Sequence, residues 1–268
     1  MPAKSRLGQN FLRDQSAIAR IGAALGDVSR QNVIEIGPGE GAITRALTER
    51  ACHVTAIEVD HELAIALRAY LPSEKLTVIE QDVLQFNFAD AAAQAGHKLP
   101  VVGNLPYYIT SPILLRLAKN HASLDRAVLM VQREVADRVV AEPGSRDYGL
   151  LSVTVQMYGP VERLFTLPPG AFSPPPEVHS TVFRWRFAPR FAELGVNEMS
   201  FIQFAKQIFA QKRKTLANNL RAAGLEAAAV QAALAETGIS PQARAESLEL
   251  DKLAALHAHL ENKKAAAL

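Results

Sequence analysis

The stretch Asn104-Leu105-Pro106-Tyr107-Tyr108-Ile109 brings a carboxamide, a proline and two aromatic rings together at the end of the apolar run Leu99 to Gly103. An amide oxygen accepts a hydrogen bond from an exocyclic amine, proline stiffens the backbone, and a tyrosine ring offers a flat face to a base. These residues read as a pocket for an adenine amino group, although the same types also make an ordinary strand-to-helix turn. Adenine N6 is a poor nucleophile because its lone pair is delocalised into the ring. Acceptors aimed at its two protons would draw it towards tetrahedral geometry, and the Asn104 side-chain oxygen and the Leu105 carbonyl are the candidates.

Two acids stand where they would serve a nucleoside partner. Asn32 to Ile36 reads as a buried strand running into Gly37-Pro38-Gly39-Glu40-Gly41, with a helix-like stretch from Ala42 to Arg50. Strand, glycine turn and helix in that order bring backbone close to a ligand at the positive end of a helix dipole. The next strand, His53 to Ile57, ends at Glu58-Val59-Asp60, close to the offset of roughly 20 residues at which an acid takes ribose hydroxyls. Leu76 to Glu80 is a third strand, ending at Gln81-Asp82-Val83, where Asp82 would receive the exocyclic amine of an adenine ring. Either acid alone would be an ordinary solvated loop residue. A dinucleotide dehydrogenase needs Gly-x-Gly-x-x-Gly for a pyrophosphate, but here the third glycine comes one place early with Glu40 beside it. An acid there repels pyrophosphate and suits a sulfonium amino acid, which favours S-adenosyl-L-methionine over NAD.

Strand and helix must alternate to bring these tips to one edge, which argues for an α/β, Rossmann-like parallel sheet with ligands beyond the carboxyl ends of its strands. Ahead of it stands Gly8-Gln9-Asn10-Phe11-Leu12, preceded by Lys4 and Arg6 and followed by a helix with Asp14 as N-cap and Ile18, Ile21 and Leu25 on one face. Beyond it, Pro112 to Asn120 is helix-like, Arg126 to Gln132 is a fifth buried strand, and Arg133 to Val139 opens another helix. Arg116, Lys119, Arg133 and Arg138 suit phosphate contacts or a solvated face equally. Glu142 to Gly149 reads as a mobile polar loop, and the proline-rich segment Phe172 to Ser180 leads into a final strand, Thr181 to Phe187. From Pro189 the β alternation ceases and helical spacing takes over through Phe201-Phe204-Ile208, Leu216-Leu220, Val230-Leu234 and Leu253-Leu256-Leu260. The expected division is therefore 1–188 for the site-bearing domain and 189–268 for a small all-helical domain. The second carries the densest basic cluster, Lys212-Arg213-Lys214, expected on a helix with Lys206 before it and Arg221 after it. Such a cluster is a solvated face or a phosphate contact. The alanine-rich tail from Lys263 to Leu268 is expected to fray.

Composition bounds the partners. Across 268 residues, 29 Lys+Arg against 27 Asp+Glu give a formal net charge of +2, so any nucleic-acid affinity must come from local clusters. Cys52 is the sole cysteine, which excludes an intramolecular disulfide and fits a reducing compartment. No apolar stretch approaches membrane-span length, and the opening residues lack the apolar region of a signal peptide, so a cytoplasmic protein without membrane contact is expected. No spacing of His, Cys and Asp suits a metal, and no nucleophile has a matched base.

Taken together, Gln9-Asn10-Phe11-Leu12, Glu35-Ile36-Gly37-Pro38-Gly39, Ile57-Glu58-Val59-Asp60, Gln81-Asp82-Val83 and Asn104-Leu105-Pro106-Tyr107 resemble the ribosomal RNA adenine N6,N6-dimethyltransferase family, nearest its bacterial KsgA type. The resemblance implies a class I S-adenosylmethionine-dependent methyltransferase sheet. It also implies a cofactor pocket lined by Gln9, Asn10, Leu12, Gly37, Gly39, Glu58, Asp82 and Asn104. Asn104, Leu105 and Tyr107 become the catalytic mouth. Phe172, at the head of Phe-x-Pro-x-Pro-x-Val-x-Ser, is matched to the ring that stacks on the target base. The implied substrate is 16S rRNA in the small ribosomal subunit, methylated at N6 of two adjacent adenosines near its 3′ end by a monomer that also serves subunit biogenesis. RNA contacts would come through Lys206, Lys212, Arg213, Lys214 and Arg221. The rivals are the 23S rRNA methyltransferase of the antibiotic-resistance type, which shares the catalytic motifs, and a non-catalytic RNA-binding assembly factor. The intact Asn104-to-Tyr107 motif and both strand-tip acids argue against the second.

Overall fold

The computed structural model describes residues 9–71 and 74–266, so the expectations for Lys4, Arg6 and Gly8 lie outside the described residues. The chain forms two compact units. One takes the residues up to Ala136 together with Pro160–Phe187, and the other takes Asp137–Gly159 together with everything from Ala188 onward. The second unit's last segment starts at Ala188, and the segment 137–159, expected in the first domain, belongs to the helical unit.

The first unit runs β1 (Phe11–Leu12), α1 (Gln15–Ala24), β2 (Asn32–Ile36), α2 (Ala42–Thr48), β3 (His53–Glu58), α3 (His61–Tyr70), β4 (Leu76–Glu80), α4 (Phe88–Ala95), β5 (Leu99–Asn104), α5 (Thr110–Lys119) and β6 (Leu124–Gln132), then β7 (Val161–Leu167), β8 (Phe172–Ser173) and β9 (Ser180–Arg186). Asp14 caps α1 as expected, its carboxylate accepting from the Ala17 amide at 3.0 Å. The main sheet has the order β4-β3-β2-β5-β6-β9-β7. Its first five members are parallel, but β9 runs antiparallel to both β6 and β7. The expected all-parallel sheet is thus mixed, because β7 and β9 are joined without a crossover helix and must pair in opposite directions.

The order reverses between β2 and β5, and at such a switch point the strand tips diverge and leave a crevice beyond their carboxyl ends. Both strands are mostly apolar, Glu35 of β2 apart, because helices cover the two faces of a parallel sheet. Valine side chains of these strands join Ile18, Ile21 and Leu25 of α1 and Leu47 of α2 in one buried cluster. The two central strands approach closely at Gly103, where a Cβ would stand 2.8 Å from the Ile36 carbonyl oxygen. Any larger residue there would push apart the two tips that flank the crevice.

The second unit holds α7 (Leu150–Met157), α8 (Glu198–Ile208), α9 (Leu216–Ala222), α10 (Ala227–Glu236) and α11 (Leu250–Ala266), with α6 (Arg133–Val139) leading in. Phe201, Phe204, Ile208, Leu216, Leu220, Val230, Leu234, Leu253, Leu256 and Leu260 are all buried, as their helical spacing requires. Two sequence expectations change here. The Glu142–Gly149 loop is anchored: the Gly144 amide donates to the Glu246 carbonyl at 2.7 Å and Tyr148 is fully buried. The helix α11 continues through the alanine-rich tail to Ala266, while Ala267 and Leu268 lie outside the described residues. Among the described residues, no helix is long and apolar enough to cross a membrane.

Candidate active site

The tips of β2, β3, β4 and β5 border an open cleft. Gln9, Asn10, Leu12, Gly37, Gly39, Glu58, Asp82, Asn104, Leu105 and Tyr107 all line it. Of the site residues named from sequence, only Phe172 is absent from the lining. It is 4% exposed, paired with Leu12 across the antiparallel β1–β8 ribbon, and packed in the core cluster. The position expected to offer a stacking ring is therefore an inward-facing one, while Tyr108, in the turn after β5, lines the cleft and is 59% exposed.

On one side of the cleft the backbone does the positioning. Glu58 is buried, and its Oε2 accepts from the Gly39 amide at 3.1 Å while Oε1 accepts from the Val59 and Asp60 amides at 2.9 and 3.0 Å. Burial pushes its carboxyl above the usual range, and these amides oppose that by stabilising the anion. Gly39 has φ +55°, and a Cβ there would stand 2.9 Å from the Phe11 ring. Only glycine serves, because it accepts the left-handed conformation and lets the β1 segment lie across the loop. Asp82 holds the turn after β4, its Oδ1 accepting from the Leu84 amide at 2.9 Å. Glu40, whose sign argued against pyrophosphate, pairs with the exposed Arg13 at 2.6 Å.

The other side depends on contacts from afar. The Asn104 Nδ2 donates to the Asn10 carbonyl at 3.0 Å. A carbonyl oxygen only accepts, so the amide must present its NH2 to Asn10, and Oδ1 remains as an acceptor. The Leu105 amide is spent on the Met130 carbonyl at 2.9 Å, while Thr110 Oγ1 donates to the Pro106 carbonyl at 3.1 Å. These bonds fix the loop from the sheet below and from the first turn of α5.

Sequence reasoning missed Glu35 and Val59 as site residues. Glu35 lines the cleft beneath the glycine loop, is 1% exposed, and its Oε2 has no hydrogen-bond partner. Burial pushes its carboxyl up to about 7. Hydrogen bonding from Thr44 moderates the shift, and the charge of Glu58 raises it further. An acid inside the otherwise apolar run Val33-Ile34-Glu35-Ile36 was the available signal. Val59 is an apolar side chain 54% exposed on the cleft wall between Glu58 and Asp60. Its place inside the Ile57-Glu58-Val59-Asp60 motif was the available signal.

These groups fit S-adenosyl-L-methionine. The orphaned carboxylate oxygen of Glu35 awaits a cation, Glu58 offers a carboxylate suited to a diol, Asp82 one suited to an amine, and Val59 and Val83 give apolar cover for a flat ring.

The parallel strands, the switch-point crevice and its strand-tip acids define a Rossmann-like class I methyltransferase. Comparison with known proteins narrows this: a family model described as ribosomal RNA adenine dimethylase matches residues 2–261, and the chain belongs to that family. A protein of Acidobacterium capsulatum named ribosomal RNA small subunit methyltransferase A is 56% identical over 261 residues, covering 97% of this chain and 92% of the relative. One of the same name from Koribacter versatilis is 49% identical over 269 residues, covering 96% and 94%. Among solved structures, the 23S rRNA methyltransferase ErmE aligns with a TM-score of 0.72 at 26% identity over 94% of this chain and 100% of that one. A dimethyladenosine transferase from Plasmodium falciparum shares the fold with a TM-score of 0.81 at 22% identity, covering 95% and 98%.

Proposed function

We propose that this protein transfers methyl groups from S-adenosyl-L-methionine to N6 of two adjacent adenosines near the 3′ end of 16S rRNA in the small ribosomal subunit, acting as a cytoplasmic monomer during subunit biogenesis. The observation that carries the chemistry is the Asn104 amide, whose NH2 is committed to Asn10 and whose oxygen is thereby kept as an acceptor at the mouth of a cofactor-shaped cleft. The substrate choice is supported by relatives of 56% and 49% identity that carry the small-subunit name and are matched over nearly their whole length.

When bound, S-adenosyl-L-methionine supplies an electrophilic methyl on a sulfonium sulfur. Glu35 would hold the ammonium of its amino-acid part, Glu58 its ribose hydroxyls and Asp82 its adenine amine. Asn104 Oδ1 and the Leu105 carbonyl would accept hydrogen bonds from the N6 amine of the target adenine, which localises the nitrogen lone pair and orients it towards the methyl donor. The alkylated nitrogen is acidic enough to release its proton to water, so no strong base is needed. Positioning and electrostatics then carry the catalysis, and well-oriented reactants supply on the order of 7 to 11 kcal/mol. The base must leave its stack to enter, and Tyr107 offers a ring to replace the lost stacking. With Phe172 facing the core, the aromatic side chains lining the cleft beside Tyr107 are Phe11 and the exposed Tyr108. Phe172 instead secures β1, which carries the Asn10 carbonyl towards Asn104.

In the helical unit Lys206, Lys212, Arg213, Lys214 and Arg221 are all exposed. The central three occupy a turn between α8 and α9, not a helix, because Thr215 caps α9 only at Leu216 and the buried Asn219 ties Gln211 back at 3.2 Å. Lys212 Nζ donates to the Arg146 carbonyl at 2.8 Å, while Arg213 and Lys214 beside it suit phosphate contact along an RNA backbone. The test is to incubate the protein with labelled S-adenosyl-L-methionine and unmethylated small or large subunits separately, then map the modified adenines. Label in small-subunit RNA is expected. Label confined to large-subunit RNA overturns the substrate, and none in either overturns the enzymatic reading.

A further inference from the structure

The proline-rich segment ends in Ser180, a residue with no role in the chemistry described so far. Its hydroxyl lies 2.7 Å from the Tyr107 phenolic oxygen, and the residue is fully buried. Ser180 opens β9 and is held on both flanks, in register with Gln132 of β6 and Leu167 of β7. The preceding His179 carbonyl accepts from the Arg133 amide at 2.9 Å, so the backbone on that side is fixed as well. Tyr107, by contrast, sits in a short turn and is only half-buried. Its backbone is steadied by Thr110, but the ring itself would turn about its side-chain bonds without a contact at its far end.

We infer that Ser180 is a positioning residue for methyl transfer: its buried hydroxyl pins the Tyr107 phenol to the central sheet and so fixes the plane against which the target base must lie. The inference rests on the proposed role of Tyr107 as the base-contacting ring. Burial pushes the phenol above its ordinary value, so the contact stays a bond between neutral hydroxyls through the working pH range. A ring set in advance spares the base the cost of ordering it, and small errors in the angle of attack reduce rate more than binding. The motif beginning at Phe172 would then act through its last residue, with its first facing the core.

A double-mutant cycle tests this, with kcat, KM for RNA, cofactor affinity and thermal midpoint measured on the full chain. Ser180→Ala is expected to lower kcat about tenfold, with cofactor affinity near wild type and a thermal midpoint lowered by no more than the loss of one buried hydrogen bond. Ser180→Thr, which keeps the hydroxyl, restores the rate. Tyr107→Phe, which deletes the other end of the same bond, matches Ser180→Ala without depending on how that variant folds, and adding Ser180→Ala to it costs nothing further. Losses that multiply in the double variant, or a Ser180→Ala enzyme at full rate, overturn the inference. Wild-type kcat in Tyr107→Ala would instead remove Tyr107 from base binding and so overturn the reading beneath it.

Discussion

On the donor side of the cleft Glu58 is fixed by three backbone amides, two from its own strand end and one from the glycine loop. On the acceptor side Asn104 and Tyr107 are each fixed by one bond to a segment 94 or 73 residues away in sequence. The donor side is thus built by successive strand-turn-helix units, each complete within a few dozen residues. The acceptor side exists only once β1 and β9 have reached the sheet from opposite ends of the unit. Local construction suits a cofactor of constant shape. Construction from distant parts makes attack geometry sensitive to the segments that hold it.

If the two sides are separable, donor-side substitutions should change cofactor affinity and stability and leave turnover at saturating cofactor alone. Glu35→Gln should show the largest effect. With the folded carboxyl near 7 and its ordinary value 4.5, the unfolded chain releases its proton first as pH rises, so the folded state binds more protons through that window. Stability therefore falls between those values, by roughly 3 kcal/mol in all, and is flat on either side. Denaturant melts of Glu35→Gln at pH 5 and pH 8 should lose this slope and show a more stable protein at pH 8, while affinity for the cationic cofactor drops. An unchanged pH profile would show that Glu35 is not held neutral.

Gly39→Ala should come next. The left-handed backbone alone disfavours a Cβ by about 1 to 2 kcal/mol, and the methyl would meet the Phe11 ring. Calorimetry should find weaker cofactor binding together with a lower melting midpoint, and a loss in turnover at saturating cofactor would blur the separation. Arg213→Gln should be smallest. Its contact is with phosphate, so RNA affinity should weaken uniformly across sequences and the salt slope should fall by up to about 1, with cofactor binding untouched. A slope equal to wild type would remove Arg213 from the RNA-binding surface.

The same division explains how much was legible in the sequence. β2 and β4 were bounded from their patterns alone, β3 and β5 to within one residue, and the start of α6 was placed at Arg133. Glu58 and Asp82 were legible as acids at strand ends. Glu35 was passed over because an acid in a buried strand reads as part of the run until its unpartnered oxygen is seen on the cleft wall. The antiparallel β9 and the β1–β8 ribbon were not legible, because pairing between distant segments leaves no local period. For the same reason the inward face of Phe172 and the Ser180 bond could not be read, and the basic turn looked helical until Thr215 and Asn219 placed the start of α9.

The most direct measurement is on Asn104→Ala, with S-adenosyl-L-methionine affinity and single-turnover methyl transfer to small subunits determined on the same preparation. Removing the acceptor should lower the transfer rate roughly 100- to 1000-fold, with cofactor binding weakened far less and still measurable because Glu35, Glu58 and Asp82 remain in place. Wild-type transfer in this variant, or a loss of cofactor binding as large as the loss of rate, would contradict the account.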